Sequence, residues 1–128
     1  MGKLSANAAT LLATVTGIDA KTVATTVLYS VPVGSTLIPM FVVIRCTAFT
    51  VGSKAVQAVA SFGGNSATYD DFLNTVTYTV AAADVFLIDR PADATATVTQ
   101  AAADSFRISI ETGSDATTET WAVDLFGY

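Results

Sequence analysis

A chain of 128 residues with one cysteine, no histidine and a net charge of −5 can bury a core of its own, and it does so without an internal disulfide. The lack of histidine excludes Ser-His-Asp and Cys-His catalysis and every histidine-ligated metal, and six scattered Lys and Arg residues form no basic stripe for nucleic acid. Apolar residues make up 52% of the chain, but the densest run, Leu37 to Ile44, is too short to cross a bilayer and contains Pro39, so no membrane association is expected.

Residues 1–20 carry only Leu4, Leu11, Leu12, Val15 and Ile18 as larger apolar groups. They read as an N-terminal arm preceding a sandwich domain over residues 21–128. A segment with so little to bury needs a neighbour to offset the entropy of ordering it. Met1 to Ala6 is not followed by an apolar core and cleavage site, so synthesis in a cytoplasm is expected.

The domain begins with an alternating face of Val23, Thr25, Val27, Tyr29 and Val31, closed by a turn at Pro32-Val33-Gly34-Ser35. Leu37–Cys46 follows and is apolar on both sides. Ile38, Met40, Val42, Ile44 and Cys46 share one face, and Leu37, Phe41 and Val43 share the other. A strand patterned in this way is covered on both sides, either by its own chain or by a neighbouring subunit. Cys46 within it reads as a small buried hydrophobe.

Past the Gly52-Ser53 turn, Val56, Ala58, Ala60 and Phe62 alternate, then Val76, Tyr78 and Val80 after the Gly63-Gly64-Asn65 turn. Single helical turns are predicted near Ala81–Asp84 and Gln100–Asp104, and a loop at Asp89-Arg90-Pro91. Phe106, Ile108 and Ile110 form one more core face. Trp121, Val123 and Leu125 form the last, beyond Gly113-Ser114-Asp115. Short alternating strands punctuated by turns predict an all-β chain, one β-sandwich or jelly-roll-like domain.

Chemistry is sparse. Asp70 and Asp71 are adjacent, and Asp89 and Asp93 share a loop, but neither pair has the spacing of a calcium loop. Adjacent carboxylates on extended chain diverge, which does not suit glycoside hydrolysis. The glycines follow no phosphate-cradling pattern. No catalytic residue, cofactor or metal ligand is assigned. Among the aromatics, Phe62, Phe86, Phe106 and Trp121 are expected in the core. Tyr69 and Phe72 are candidates for stacking on a sugar, whereas Phe126 and Tyr128 sit at the chain end, where they could dock on a neighbour. The candidate interface is therefore Leu37, Phe41, Val43, Phe126 and Tyr128.

The stretch Val27-Leu28-Tyr29-Ser30-Val31-Pro32-Val33-Gly34-Ser35, followed by Phe41-Val42-Val43-Ile44-Arg45, resembles small virion proteins of tailed bacteriophages. The Ser61-Phe62-Gly63-Gly64-Asn65 turn and the ending Ala122-Val123-Asp124-Leu125-Phe126-Gly127-Tyr128 fit the same type. The resemblance implies a trimeric β-sandwich or jelly roll and carries over no catalytic residue. It implies a capsid decoration (cement) protein bound to the major capsid protein on the virion surface. The alternative role is a tail or fibre module that recognises a host surface glycan through Tyr69, Phe72 and the Asp loops. A cellular carbohydrate-binding or adhesion domain is a third reading.

Overall fold

The computed structural model describes residues 9–53, 55–91 and 105–128. They form eight strands: β1 (Thr10–Asp19), β2 (Ala24–Ser30), β3 (Pro39–Thr50), β4 (Ala58–Gly63), β5 (Leu73–Tyr78), β6 (Phe86–Asp89), β7 (Ser105–Thr112) and β8 (Thr118–Gly127). There is no helix among the described residues. Ala81–Asp84, expected as a helical turn, is irregular, and Gln100–Asp104 lies outside the described residues.

The strands pair β1 with β8, β2 with β7, β3 with β6 and β4 with β5, all antiparallel. That is one long antiparallel hairpin rolled up on itself. Rolling adds the β8–β3 and β7–β4 pairings and closes two four-stranded sheets, β1-β8-β3-β6 and β2-β7-β4-β5. This strand order is that of a jelly roll, an arrangement that leaves few exposed sheet edges.

The core lies between the sheets. Ile44, Phe62, Phe106, Ile108, Trp121 and Leu125 are fully buried. Their rings meet edge to face: Tyr78 on Trp121 with centroids 5.8 Å apart, Phe62 on Tyr78 at 6.3 Å, and Phe72 on Phe106 at 5.5 Å. The expected core faces of β7 and β8, and Ala58, Ala60 and Phe62 of β4, are all buried.

Four expectations are corrected, three of them through irregular strand pairing. Thr10–Asp19 is not an arm but an edge strand of the sandwich, paired along β8 from Thr10↔Gly127 to Asp19↔Thr120. Its two register shifts, one spanning Gly17 at φ +71°, scramble the period-two pattern. Residues 1–8 of the expected arm lie outside the described residues.

The β2 face is the second correction. Val23 is 66% exposed and Val27 is also on the outer side, Leu28 is buried, and the register slip between Val27 and Tyr29 then turns Val31 into the core. The turn that follows is as expected. Ser35 N–H donates to Pro32 O at 3.0 Å, and Gly34 takes φ +81° at the third position, where a type II turn demands it.

Leu37 is the third. It is 1% exposed and belongs to the core, not to an outward face. The β3 pairing shifts between Pro39 and Phe41, leaving Met40 as an extra, exposed residue. A proline without an N–H sits readily at such a bulge. Leu37 and Pro39 are thus buried in one phase, and Val42, Ile44 and Cys46 in the other. Leu37→Ala is expected to lower the free energy of unfolding by about 2–5 kcal/mol. A chemical-denaturation curve beside wild type would show the loss, and an unchanged midpoint would contradict the core placement of Leu37.

The fourth concerns two aromatics whose places are exchanged. Phe86, expected in the core, is 64% exposed, and Phe72, a candidate sugar platform, is 5% exposed.

Candidate functional site: the outer face of the β1-β8-β3-β6 sheet

Alternation puts Val42, Ile44 and Cys46 of β3 inward, so Phe41, Val43 and Arg45 point outward. On β8, Trp121, Val123 and Leu125 point inward, leaving Ala122, Asp124 and Phe126 on the same outer face. The cross-strand register then builds this face in rows. Leu11, Phe126 and Phe41 form one row across β1, β8 and β3. Thr14, Asp124, Val43 and Ile88 form the next, reaching β6. Ala122, Arg45 and Phe86 form the third.

The result is an apolar surface across all four strands. Phe41 and Phe126 stack with ring centroids 4.7 Å apart and planes 12° from parallel. Leu11 is 54% exposed and Ile88 is 73% exposed. Tyr128, at the end of β8, is 40% exposed, and its backbone is bonded both ways to Ile38 at 3.0 Å. Within the face Asp124 Oδ1 accepts from Arg45 Nη2 at 3.0 Å and from Thr14 Oγ1 at 2.8 Å, while Arg45 Nε is buried without a hydrogen-bond partner. The Arg45–Asp124 pair presents no net charge to a partner.

The other sheet differs. Its outer face exposes Thr25 and Thr77 and carries Arg107, with Val27 and Val59 as its apolar members, while Ser61 and Ser109 in the same phase are buried. One outer face is apolar and the other polar.

Of the five expected interface residues, the structure brings Phe41, Val43 and Phe126 together on one face, puts Tyr128 at the adjoining strand end, and moves Leu37 into the core. Sequence reasoning missed Leu11, Phe86 and Ile88. The run Val85-Phe86-Leu87-Ile88 carried the signal, being a four-residue apolar stretch bounded by Asp84 and Asp89.

The acidic loops do structural work. Asp70 Oδ1 accepts from Asn65 Nδ2 at 2.7 Å and Thr68 Oγ1 at 2.9 Å, and Asp71 Oδ1 accepts from Gly64 N–H at 2.9 Å. Asp115 Oδ2 accepts from the Ser53 hydroxyl and from the N–H groups of Ala55 and Val56. Asp19 takes the Lys21 N–H and the Thr22 hydroxyl. These bonds to the charged form hold Asp19, Asp70 and Asp115 below the usual carboxylate value.

Glu119 is the opposite case. It is 1% exposed in β8, and burial pushes its carboxyl above the ordinary value of 4.5, with Ser114 and Trp121 easing it only in part. The two groups act in separate pH windows. A raised acid favours folding fully below 4.5 and loses that contribution as pH rises through its folded value. The lowered aspartates stabilise above 3.8 and lose their contribution as pH falls through their folded values. Wild type is therefore expected to lose stability through Glu119 as pH rises from 4.5 upward, whereas Glu119→Gln is not. Urea midpoints of both proteins across that range check this, and parallel curves would contradict it.

No protein family, no curated protein and no solved structure matches this chain.

Proposed function

We propose that this chain is a non-enzymatic structural protein of a bacteriophage particle. It acts as a capsid decoration protein that sits on the head surface as a homotrimer, bound to the major capsid protein and assembled in the host cytoplasm. The observation that carries this reading is the apolar outer face of the β1-β8-β3-β6 sheet. A jelly roll buries the two inner faces of its sheets to fold, and a third apolar face spanning four strands is a liability in water unless a partner covers it. The polar outer face of the other sheet serves as the exposed side of the bound protein.

Two further features support it. Jelly rolls recur in capsid and lectin domains, which is support by analogy of fold. Charged residues make up only 13% of the chain, which suits attachment by surface burial. Weak single contacts suffice on a capsid, because the lattice presents many binding positions at high effective concentration.

The glycan-binding alternative rests on fewer groups. Phe72 packs on Phe106 in the core, and Tyr69 carries the Arg107 guanidinium over its ring at 5.2 Å. The carboxylates of Asp70 and Asp71 already accept hydrogen bonds within their own loop.

Copy number tests the reading. Mass spectrometric quantification on purified particles is expected to find hundreds of copies per head. A few dozen or fewer would favour the tail-module alternative, and none would overturn a virion role.

A further inference from the structure

At one end of the sandwich, between the sheets, a cavity of about 280 Å3 opens among the β3–β4, β5–β6 and β7–β8 loops. Phe49, Val56 and Val80 form apolar walls, and Ser114, Asp115 and Glu119 add polar groups. We propose that this cavity binds an alkylammonium group, the apolar walls taking the hydrocarbon stem and Glu119 receiving the cation.

Three observations lead there. Glu119 lines the cavity at 1% exposure, and its Oε2 is buried without a fully formed hydrogen bond, the nearby Trp121 indole N–H easing its charge only in part. A buried carboxyl oxygen left unpaired is costly, and a ligand that donates to it recovers that cost. Second, the described residues place no cation against this charge. The single ion pair among the described residues is Arg45–Asp124, on the outer face, while Lys21 Nζ, on the adjoining β1–β2 turn, donates to Thr117 O at 2.8 Å. Asp115, held ionised by its three donors, makes the cavity more negative still. A cation is favoured over a neutral or anionic guest.

Third, size and donor set narrow the cation. The volume lies near the roughly 300 Å3 lower end of ligand sites, enough for a short stem and not for an oligosaccharide. A divalent metal wants several ligand oxygens, and no group of three metal-ligating side chains occurs among the described residues. The mouth of a β-barrel-like fold is also where small ligands commonly bind. This site shares no residue with the apolar docking face, so it stands whether or not the virion reading does.

Two sources offer the same chemistry, a free alkylamine or a lysine side chain of another protein. The test is a titration at neutral pH with butylammonium, with butanol as the uncharged control, and with Nα-acetyl-lysine methylamide. The indole N–H resonance of Trp121, the only tryptophan, is the readout. That indole N–H lies close enough to the Glu119 carboxyl to ease its charged form, short of a fully formed hydrogen bond, so it reports on any guest at Glu119.

The expected result is a saturable shift with butylammonium below about 10 mM, none with butanol, and at least tenfold weaker binding in Glu119→Gln. Val56→Trp, a change at an exposed wall residue, should block the cavity and abolish binding, which decides the matter if Glu119→Gln fails to fold. Lysine amide binding as tightly as butylammonium assigns the site to a protein lysine, and butylammonium binding alone assigns it to a free amine. No saturable shift, equal binding of butanol, or undiminished affinity in a folded variant would overturn the proposal.

Discussion

Trp121→Ala is expected to cost about 3–5 kcal/mol of folding free energy, the range for truncating a large buried aromatic. Trp121 is fully buried in β8, the central strand that pairs with both β1 and β3. Its ring receives Tyr78 edge-on, and Tyr78 meets Phe62 in the same manner, so one truncation strips contacts from both sheets at once. Tyr78 is fixed at its far end too, its hydroxyl donating to Asp89 Oδ2 at 2.8 Å, so it cannot readily collapse into the space left behind. Small domains have about 5–15 kcal/mol in total, so the variant should unfold at much lower denaturant. A urea midpoint unchanged within error would contradict the assigned core.

The second large effect concerns attachment. Phe41→Asp and Phe126→Asp each place a charge in the centre of the apolar face and break the stacked pair. Both side chains are half-buried on the outside of the sheet, so the fold should survive, with far-ultraviolet dichroism and the urea midpoint close to wild type. Central aromatic anchors of interfaces are typically worth at least about 2 kcal/mol each, roughly a 30-fold loss of affinity or more. Occupancy on particles assembled without the protein should fall accordingly for both variants. Thr25→Asp and Thr77→Asp, on the outer face of the other sheet, should bind like wild type. Equal loss from both faces would indicate general destabilisation instead of a docking surface.

How far these features could be read from sequence depended on the regularity of each strand. In β7 and β8 the alternation is unbroken, so Phe106, Ile108, Ile110, Trp121, Val123 and Leu125 were legible as core. In β1, β2 and β3 it is interrupted by register shifts, and each interruption reverses which side chains face inward. That is why Leu37 read as an interface residue and why β1 read as an arm. Phe86 and Ile88 point outward from a short edge strand, a place where apolar residues are normally avoided, so Phe86 read as core and Ile88 was passed over.

Part of the candidate site was legible for a sound reason. A strand apolar on both sides, such as Phe41–Cys46, must be covered twice, and the jelly roll covers only its Val42, Ile44 and Cys46 side. The register of β8, which sets Phe126 beside Phe41, depends on contacts distant in sequence and could not be read locally. Glu119 was visible in principle. It lies two residues before Trp121 and hence in phase with the core, and a charged residue in that phase marks a buried group needing a partner.

Under the proposed capsid role, a three-dimensional reconstruction at side-chain resolution of particles carrying this protein tests the docking face most directly. The predicted result is a trimer of this jelly roll on the outer capsid surface, with Leu11, Phe41, Val43, Ile88 and Phe126 buried against the capsid protein or a neighbouring copy. Copies seated through the polar β2-β7-β4-β5 sheet, with the stacked Phe41–Phe126 pair open to solvent, would contradict it.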